Sequence, residues 1–211
     1  MVIREGGEGV EQLFERLAAL LDYPGPTIAD HTAACGEELA QRFPQAAAGL
    51  LPWRTYLHEH PLSAVEELYT HTFDLNPVCT LEVSFYLFGE DYRRGMFLAQ
   101  LRASQQEVGL RAGRELPDHL PVLLRWLARI YGSELHIDLV SECLLPALRR
   151  MDQQLAERSN PYRGILQTIA QVLEQDLAAR GQRVQGQSKP EFPSADPFLA
   201  PLPDRGGTMY P

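Results

Sequence analysis

The chain has 211 residues, 45% of them hydrophobic, which suits one domain with a real core and a tail after it. Nineteen Lys and Arg face 28 Asp and Glu, a net charge of −9 that repels phosphate backbones and anionic lipid and favours a basic peptide as partner. Cys35, Cys79 and Cys143 are far apart with no CxxC pair, which excludes a disulfide framework or zinc site and reads as small buried residues in a reducing compartment.

The apolar period is helical almost throughout. Val10, Leu13, Phe14, Leu17, Leu20 and Leu21 form one stripe, ended by Asp22-Tyr23-Pro24-Gly25-Pro26. Thr27 and Asp30 read as a capping box opening a second helix through about Phe43. A third covers Ala46 to Glu59, kinked or split at Pro52. Ser63 and Glu66 suggest another capping box, followed by the stripe Val65, Leu68, Tyr69, Thr72 and Phe73.

Asn76-Pro77 breaks the chain, and Thr80 to Phe88 reads as a short apolar helix stopped by Gly89. Asp91 to Val108 follows, with Phe97 and Leu101 inward, and then Asp118 as the cap of a helix carrying Leu120, Leu123, Leu124 and Leu127. Glu134 to Glu157 is periodic with a kink expected at Pro146. Asn160-Pro161 starts a last helix running to about Arg180. No strand-length alternation is present. From 181 to 211 Gly, Gln, Pro and Ser dominate, and that stretch reads as a flexible tail appended to a helical domain of residues 1–180.

The N-terminus lacks a basic stretch followed by an apolar one, and no uncharged apolar run is long enough for a membrane span, so a soluble, cytoplasmic chain is expected. Catalytic motifs are sparse. There is no nucleophile elbow, phosphate loop or dinucleotide fingerprint, and His58-Glu59-His60 lacks the i,i+4 spacing of a metal pair. No cofactor and no metal are therefore assigned.

Two stretches are unusual choices for a plain bundle. One runs from Tyr69 through Phe73, Asp74, Asn76 and Pro77 into Phe85-Tyr86-Leu87-Phe88-Gly89; the other is Glu115-Leu116-Pro117-Asp118-His119-Leu120. Together with Leu21-Asp22-Tyr23-Pro24 and with Phe88-Gly89-Glu90 through Arg94-Gly95, their order and spacing resemble the NarJ branch of the TorD-like chaperones that mature molybdenum oxidoreductases. Glu115, Asp118 and His119 also satisfy the wider family's Glu-Pro-x-Asp-His pattern. The resemblance runs from about residue 10 to 180. Val78-Cys79-Thr80-Leu81-Glu82-Val83 departs from the branch, where a Ser and more polar residues are common.

The resemblance implies an all-α bundle that is a chaperone and not an enzyme. Its partner would be the N-terminal segment of an apo catalytic subunit, with respiratory nitrate reductase the first client and other oxyanion reductases and dehydrogenases as alternatives. The client would be held during insertion of molybdopterin guanine dinucleotide, by a monomer or weak homodimer. An amphipathic peptide would lay its apolar face in a helical groove. The candidate contacts are Tyr69, Phe73, Asp74, Asn76, Phe85, Phe88, Arg94, Glu115, Asp118, His119 and Leu120, with Glu66, Glu67, Glu90 and Asp91 as an acidic rim. Two other readings remain: a nucleotide hydrolase built on Glu115, Asp118 and His119, and a structural subunit of a redox complex.

Overall fold

A computed structural model of the chain describes residues 8–75, 77–110, 113–156 and 159–184. Helices α1 (Glu8–Ala19), α2 (Ile28–Arg42), α3 (Pro44–Ala47), α4 (Leu51–Glu59) and α5 (Leu62–Tyr69) form the first half. The second half is α6 (Val83–Phe88), α7 (Arg93–Glu107), α8 (Leu120–Arg129), α9 (Glu134–Asp138), α10 (Leu145–Ala156) and α11 (Tyr162–Val184). Among the described residues no strand forms, and one β-bridge joins Glu82 to His119. The all-α expectation holds.

The core is built from the predicted stripes. Leu13, Phe14, Leu17, Leu20 and Leu21 of the first stripe are fully enclosed, and α1 packs along α8, whose Leu123, Leu124 and Leu127 are enclosed as well. The long α11 packs on α10 and on the α3–α4 segment, burying Ile165, Leu166, Ile169, Val172 and Leu173. It approaches the turn at Ala48–Leu50 so closely that a Cβ on Gly164 would lie 2.4 Å from the Gly49 carbonyl oxygen. Only glycine permits that approach. Cys35, Cys79 and Cys143 are all buried, and burial pushes the Cys35 and Cys79 thiols up to about 12 and about 11.

Some local expectations hold and others change. Pro52 splits the third segment by sitting in the first turn of α4, where its missing N–H costs no helical bond. Thr27 precedes α2 without its side chain making a cap bond, so that capping box is not formed. The second box is also absent, because extended Pro61 starts α5 early and leaves Ser63 inside the helix. Near Pro146 the chain takes a wide π-helical turn, Leu139–Leu144, before α10; proline cannot donate the bond a regular helix needs there. Asn160 does cap α11, its Oδ1 accepting the Tyr162 amide at 2.9 Å. That helix continues past Arg180 to Val184, and the expected tail from 185 lies outside the described residues.

The apolar segment expected as a helix from Thr80 turns helical only at Val83. The segment before it, with Glu82 extended, is held against 118–120 by Leu120 N–H to the Leu81 carbonyl at 2.9 Å and Val83 N–H to the Asp118 carbonyl at 3.1 Å. This contact ties the two unusual stretches together.

Candidate functional site

Tyr69 and Phe73 lie one turn apart, and helix α5 widens between them into a π-helical turn, Thr70–Asp74. Its signature is the Leu75 amide donating to Thr70 O at 2.9 Å, five residues back. The Thr70 and Thr72 hydroxyls donate to the carbonyls of Glu66 and Leu68, at 3.0 and 2.6 Å, as threonines in bent helices do. Tyr69 and Phe73 are thereby packed edge-on at 5.1 Å, and Phe73 against Tyr162 of α11 at 4.9 Å. Both are buried, as the stripe predicted. Their outer faces are left as the floor of a cleft.

Three segments complete that cleft of about 300 Å³: the turn after α1 brings Asp22 and Tyr23, the bridge segment brings Leu81 and Glu82, and the loop before α8 brings Glu115 and His119. Asp74 stands on the same wall, and Tyr23 leans its ring on Tyr69 at 5.3 Å while staying 57% exposed. The loop before α8 is pinned from behind by buried Gln105, whose amide donates to Pro117 O at 2.7 Å.

The electrostatics are one-sided. Burial, and then the charges of Asp74, Asp22, Glu115 and Glu82, push the Tyr69 phenol far up. Burial lowers the His119 pKa, against the opposing pull of Glu115, Glu82 and Asp22, so its imidazole is neutral at pH 7. Asp22 is paired with Arg125, which also reaches Glu15 at 3.6 Å. Such a partly exposed pair contributes at most about 1 kcal/mol, so its main effect is to fix Asp22 on the rim. Asp74, Glu82 and Glu115 have no cationic partner among the described residues.

Asp118 does something other than expected. It is fully buried, and instead of capping α8 its Oδ2 accepts the Ser84 amide at 3.0 Å and the Ser84 hydroxyl at 2.5 Å, capping α6. The reason is tertiary, since the 81–83/118–120 contact delivers Asp118 to the open end of α6. Arg94 joins the same group, its Nε donating to Ser84 Oγ at 3.0 Å. With Asp118 sealed inside, Glu115, Asp118 and His119 do not form an open acid–base set.

A second cavity of about 370 Å³ opens beside the cleft, lined by Pro77, Val78, Phe85, Tyr86 and Arg94 and sharing Glu82 with it. Tyr86 shapes it from within, accepting the Thr80 amide at 3.0 Å and donating to Gln154 Oε1 at 2.8 Å. Phe85 is 41% exposed at its edge.

Of the candidate residues, Tyr69, Phe73, Asp74, Glu115 and His119 therefore meet in one cleft, and Phe85 and Arg94 in its neighbour. Phe88 packs on Phe97 at 5.3 Å and lines neither, Leu120 is enclosed in the core and offers no surface, and Asn76 lies outside the described residues. The expected acidic rim is also different. Glu66, Glu67, Glu90 and Asp91 line neither cavity, and Asp91 instead caps α7 through the Arg93 amide at 2.9 Å. Asp22, Tyr23 and Glu82 take their place. Asp22 and Tyr23 were visible in the Leu-Asp-Tyr-Pro motif, whereas nothing local marked Glu82.

Among the described residues no group of three or more His, Cys, Asp or Glu is arranged to hold a metal ion, and no helix is long and apolar enough to cross a membrane.

The sequence matches a family described as nitrate reductase delta subunit over residues 36–165. It is 30% identical over 151 residues to the nitrate reductase molybdenum cofactor assembly chaperone NarJ of Escherichia coli (strain K12), covering 69% of this chain and 63% of that relative. The chain thus spans less than two thirds of that relative's length. A Bacillus subtilis (strain 168) chain proposed for the same role is 28% identical over 167 residues, 76% of this chain and 88% of its own. A solved Archaeoglobus fulgidus structure, with a proposed role in redox enzyme maturation, shares the fold with a TM-score of 0.51 and 19% identity over 84% of this chain and 98% of that one.

Proposed function

The chain belongs to the nitrate reductase delta subunit family, and from that premise we propose that it is an assembly chaperone and not an enzyme. It binds the N-terminal segment of an apo molybdoenzyme catalytic subunit, respiratory nitrate reductase first, and keeps it competent for molybdenum cofactor insertion and complex assembly. The observation that supports this reading is the cleft itself. Three motif segments far apart in the chain converge there, and Asp74 and Glu115 on its wall have no cationic partner among the described residues. A folded domain has no structural use for a concave wall of unpaired carboxylates over aromatic rings, whereas a peptide with basic and apolar residues fits it.

Calorimetric titration with a synthetic peptide of the client's N-terminal segment tests this directly. The peptide binds the full chain, and binding weakens for Glu115→Ala and Phe85→Ala. Because the surface is acidic, association slows as salt rises, since screening shortens to about 8 Å at physiological ionic strength. Dissociation, set by apolar contacts, changes much less. Absence of binding by correctly folded protein at low and at physiological salt eliminates the reading.

A further inference from the structure

Helix α7 lies at the edge of the bundle against α6, with Phe97, Leu101 and Gln105 turned inward. On its opposite side Tyr92, Met96, Ala99 and Ala103 recur at i, i+4, i+7 and i+11, so they form one row. A surface helix of a single domain carries its polar residues there. Here Tyr92 is 78% exposed and Met96 45%, Ala99 and Ala103 are exposed as well, and none of the helix's charged residues falls in the row. Gly95 stands beside it, exposed, and a Cβ added there would meet nothing within 4 Å. Glycine at that place weakens the helix and answers no contact inside the chain.

The row is graded, bulky at its start and small at its end. Two such rows laid parallel oppose tyrosine to tyrosine and leave a gap at the alanines. Laid antiparallel, Tyr92 of one copy fits over Ala103 of the other and Met96 over Ala99, and the small residues let the helices approach. A two-fold dimer supplies that antiparallel arrangement, since the same patch is used by both copies. The charges agree with it. Asp91 and Arg102 are at i, i+11, on one flank of the row, and like flanks meet in an antiparallel pair, so Arg102 of each copy comes beside Asp91 of the other. Arg102 has no ion pair among the described residues, and Asp91 is paired only with exposed Arg93. A lipid surface fits this face less well, because insertion needs bulky apolar residues along the whole row.

We propose that the outer face of α7 is a homodimer contact, pairing antiparallel with α7 of a second copy of this chain. The inference does not depend on the peptide-docking reading. Fifteen residues make a helix of about 22 Å, so the contact is one helix face. That is smaller than the roughly 800 Å² per partner of a stable interface, and the dimer is weak, with a dissociation constant on the order of 100 μM.

Sedimentation equilibrium of the full chain over a concentration series tests this. The wild type goes from monomer to dimer as concentration rises. Ala99→Glu, an exposed position where the monomer keeps its melting temperature, weakens the dimer at least about tenfold by burying an unpaired charge in the seam. Arg102→Glu also weakens it, and that loss shrinks at high salt because it comes from like charges facing each other. Register is read by oxidative cross-linking: a Tyr92→Cys chain mixed with an Ala103→Cys chain cross-links, whereas the Ala103→Cys chain with itself does not. A chain that stays monomeric to about 1 mM overturns the inference, whether or not it adheres to phosphatidylglycerol vesicles. So does a dimer that Ala99→Glu leaves intact, or self-cross-linking of the Ala103→Cys chain as efficient as the mixed reaction.

Discussion

Two clusters of acids, tyrosines and a histidine lie in different parts of the bundle, and they resolve their charges in opposite ways. Between α9 and α11, buried Asp176 accepts hydrogen bonds from His136 Nε2 at 3.0 Å, Tyr131 at 2.8 Å and Arg180 Nε at 2.8 Å, while Arg180 lies over the Tyr131 ring at 4.1 Å. Each member of that group answers another, so it works as a brace for the far half of α11. In the cleft, Asp74, Glu82 and Glu115 share space with Tyr69 and His119, yet the carboxylates find no cation among the described residues. The same residue types thus make a strut when mutually satisfied and a docking surface when left open. What separates them is pairing, not composition.

Breaking the brace has the largest expected effect. Asp176→Ala strands His136, Tyr131 and Arg180 and should lower unfolding free energy by about 3–5 kcal/mol in chemical denaturation, the usual cost of removing one partner from a buried charged network. An unchanged midpoint would mean the brace is not a structural strut. The cleft's floor should behave as core even though its rim does not: Phe73→Ala is expected to cost about 3–5 kcal/mol by the same measurement, as for other buried aromatics. Asp118→Ala comes next, at about 2–3 kcal/mol, because it frees the buried amide and hydroxyl of Ser84.

The pH response sharpens the contrast. Burial lowers the His119 pKa, so below its ordinary value of 6.5 the unfolded chain binds a proton that the folded chain resists. Stability from this group is therefore full above 6.5 and falls as pH drops through that value toward the folded pKa. In the brace, burial raises the Asp176 carboxyl, but the bonds from His136, Arg180 and Tyr131 outweigh it and hold its pKa below the usual 3.8. Its contribution is present above that value and is lost only in stronger acid. Denaturation midpoints measured from pH 7 to 5 should fall less in His119→Gln than in the wild type, and an identical slope removes His119 from the account. The smallest effect is expected at the rim, where Asp74→Asn and Glu115→Gln change stability by less than about 0.5 kcal/mol in the free protein. A larger loss would show that the rim carboxylates hold the fold together.

The residue pattern by itself determined the helical architecture, its breaks and most of its core. A 3.6-residue period is a local property, and so is the chemistry of Pro52, Gly89 (φ 60°) and Asn160, each of which acts on its own backbone neighbours. It also put Tyr69 and Phe73 on one face, whereas Glu115 and His119 were candidates only through the motif resemblance. Tertiary structure alone decided the rest. Whether Asp118 caps its own helix or α6 depends on which free amide is delivered to it, and the pairing of 81–83 with 118–120 delivers Ser84. Glu82 and Asp22 entered the cleft, and Glu66, Glu67, Glu90 and Asp91 stayed out of it, by the way distant segments pack. Leu120 and Phe85 are both apolar helical residues, yet one is enclosed and the other 41% exposed. Periodicity states that a helix has an inner face; which residues at its ends meet another element is settled only when that element arrives.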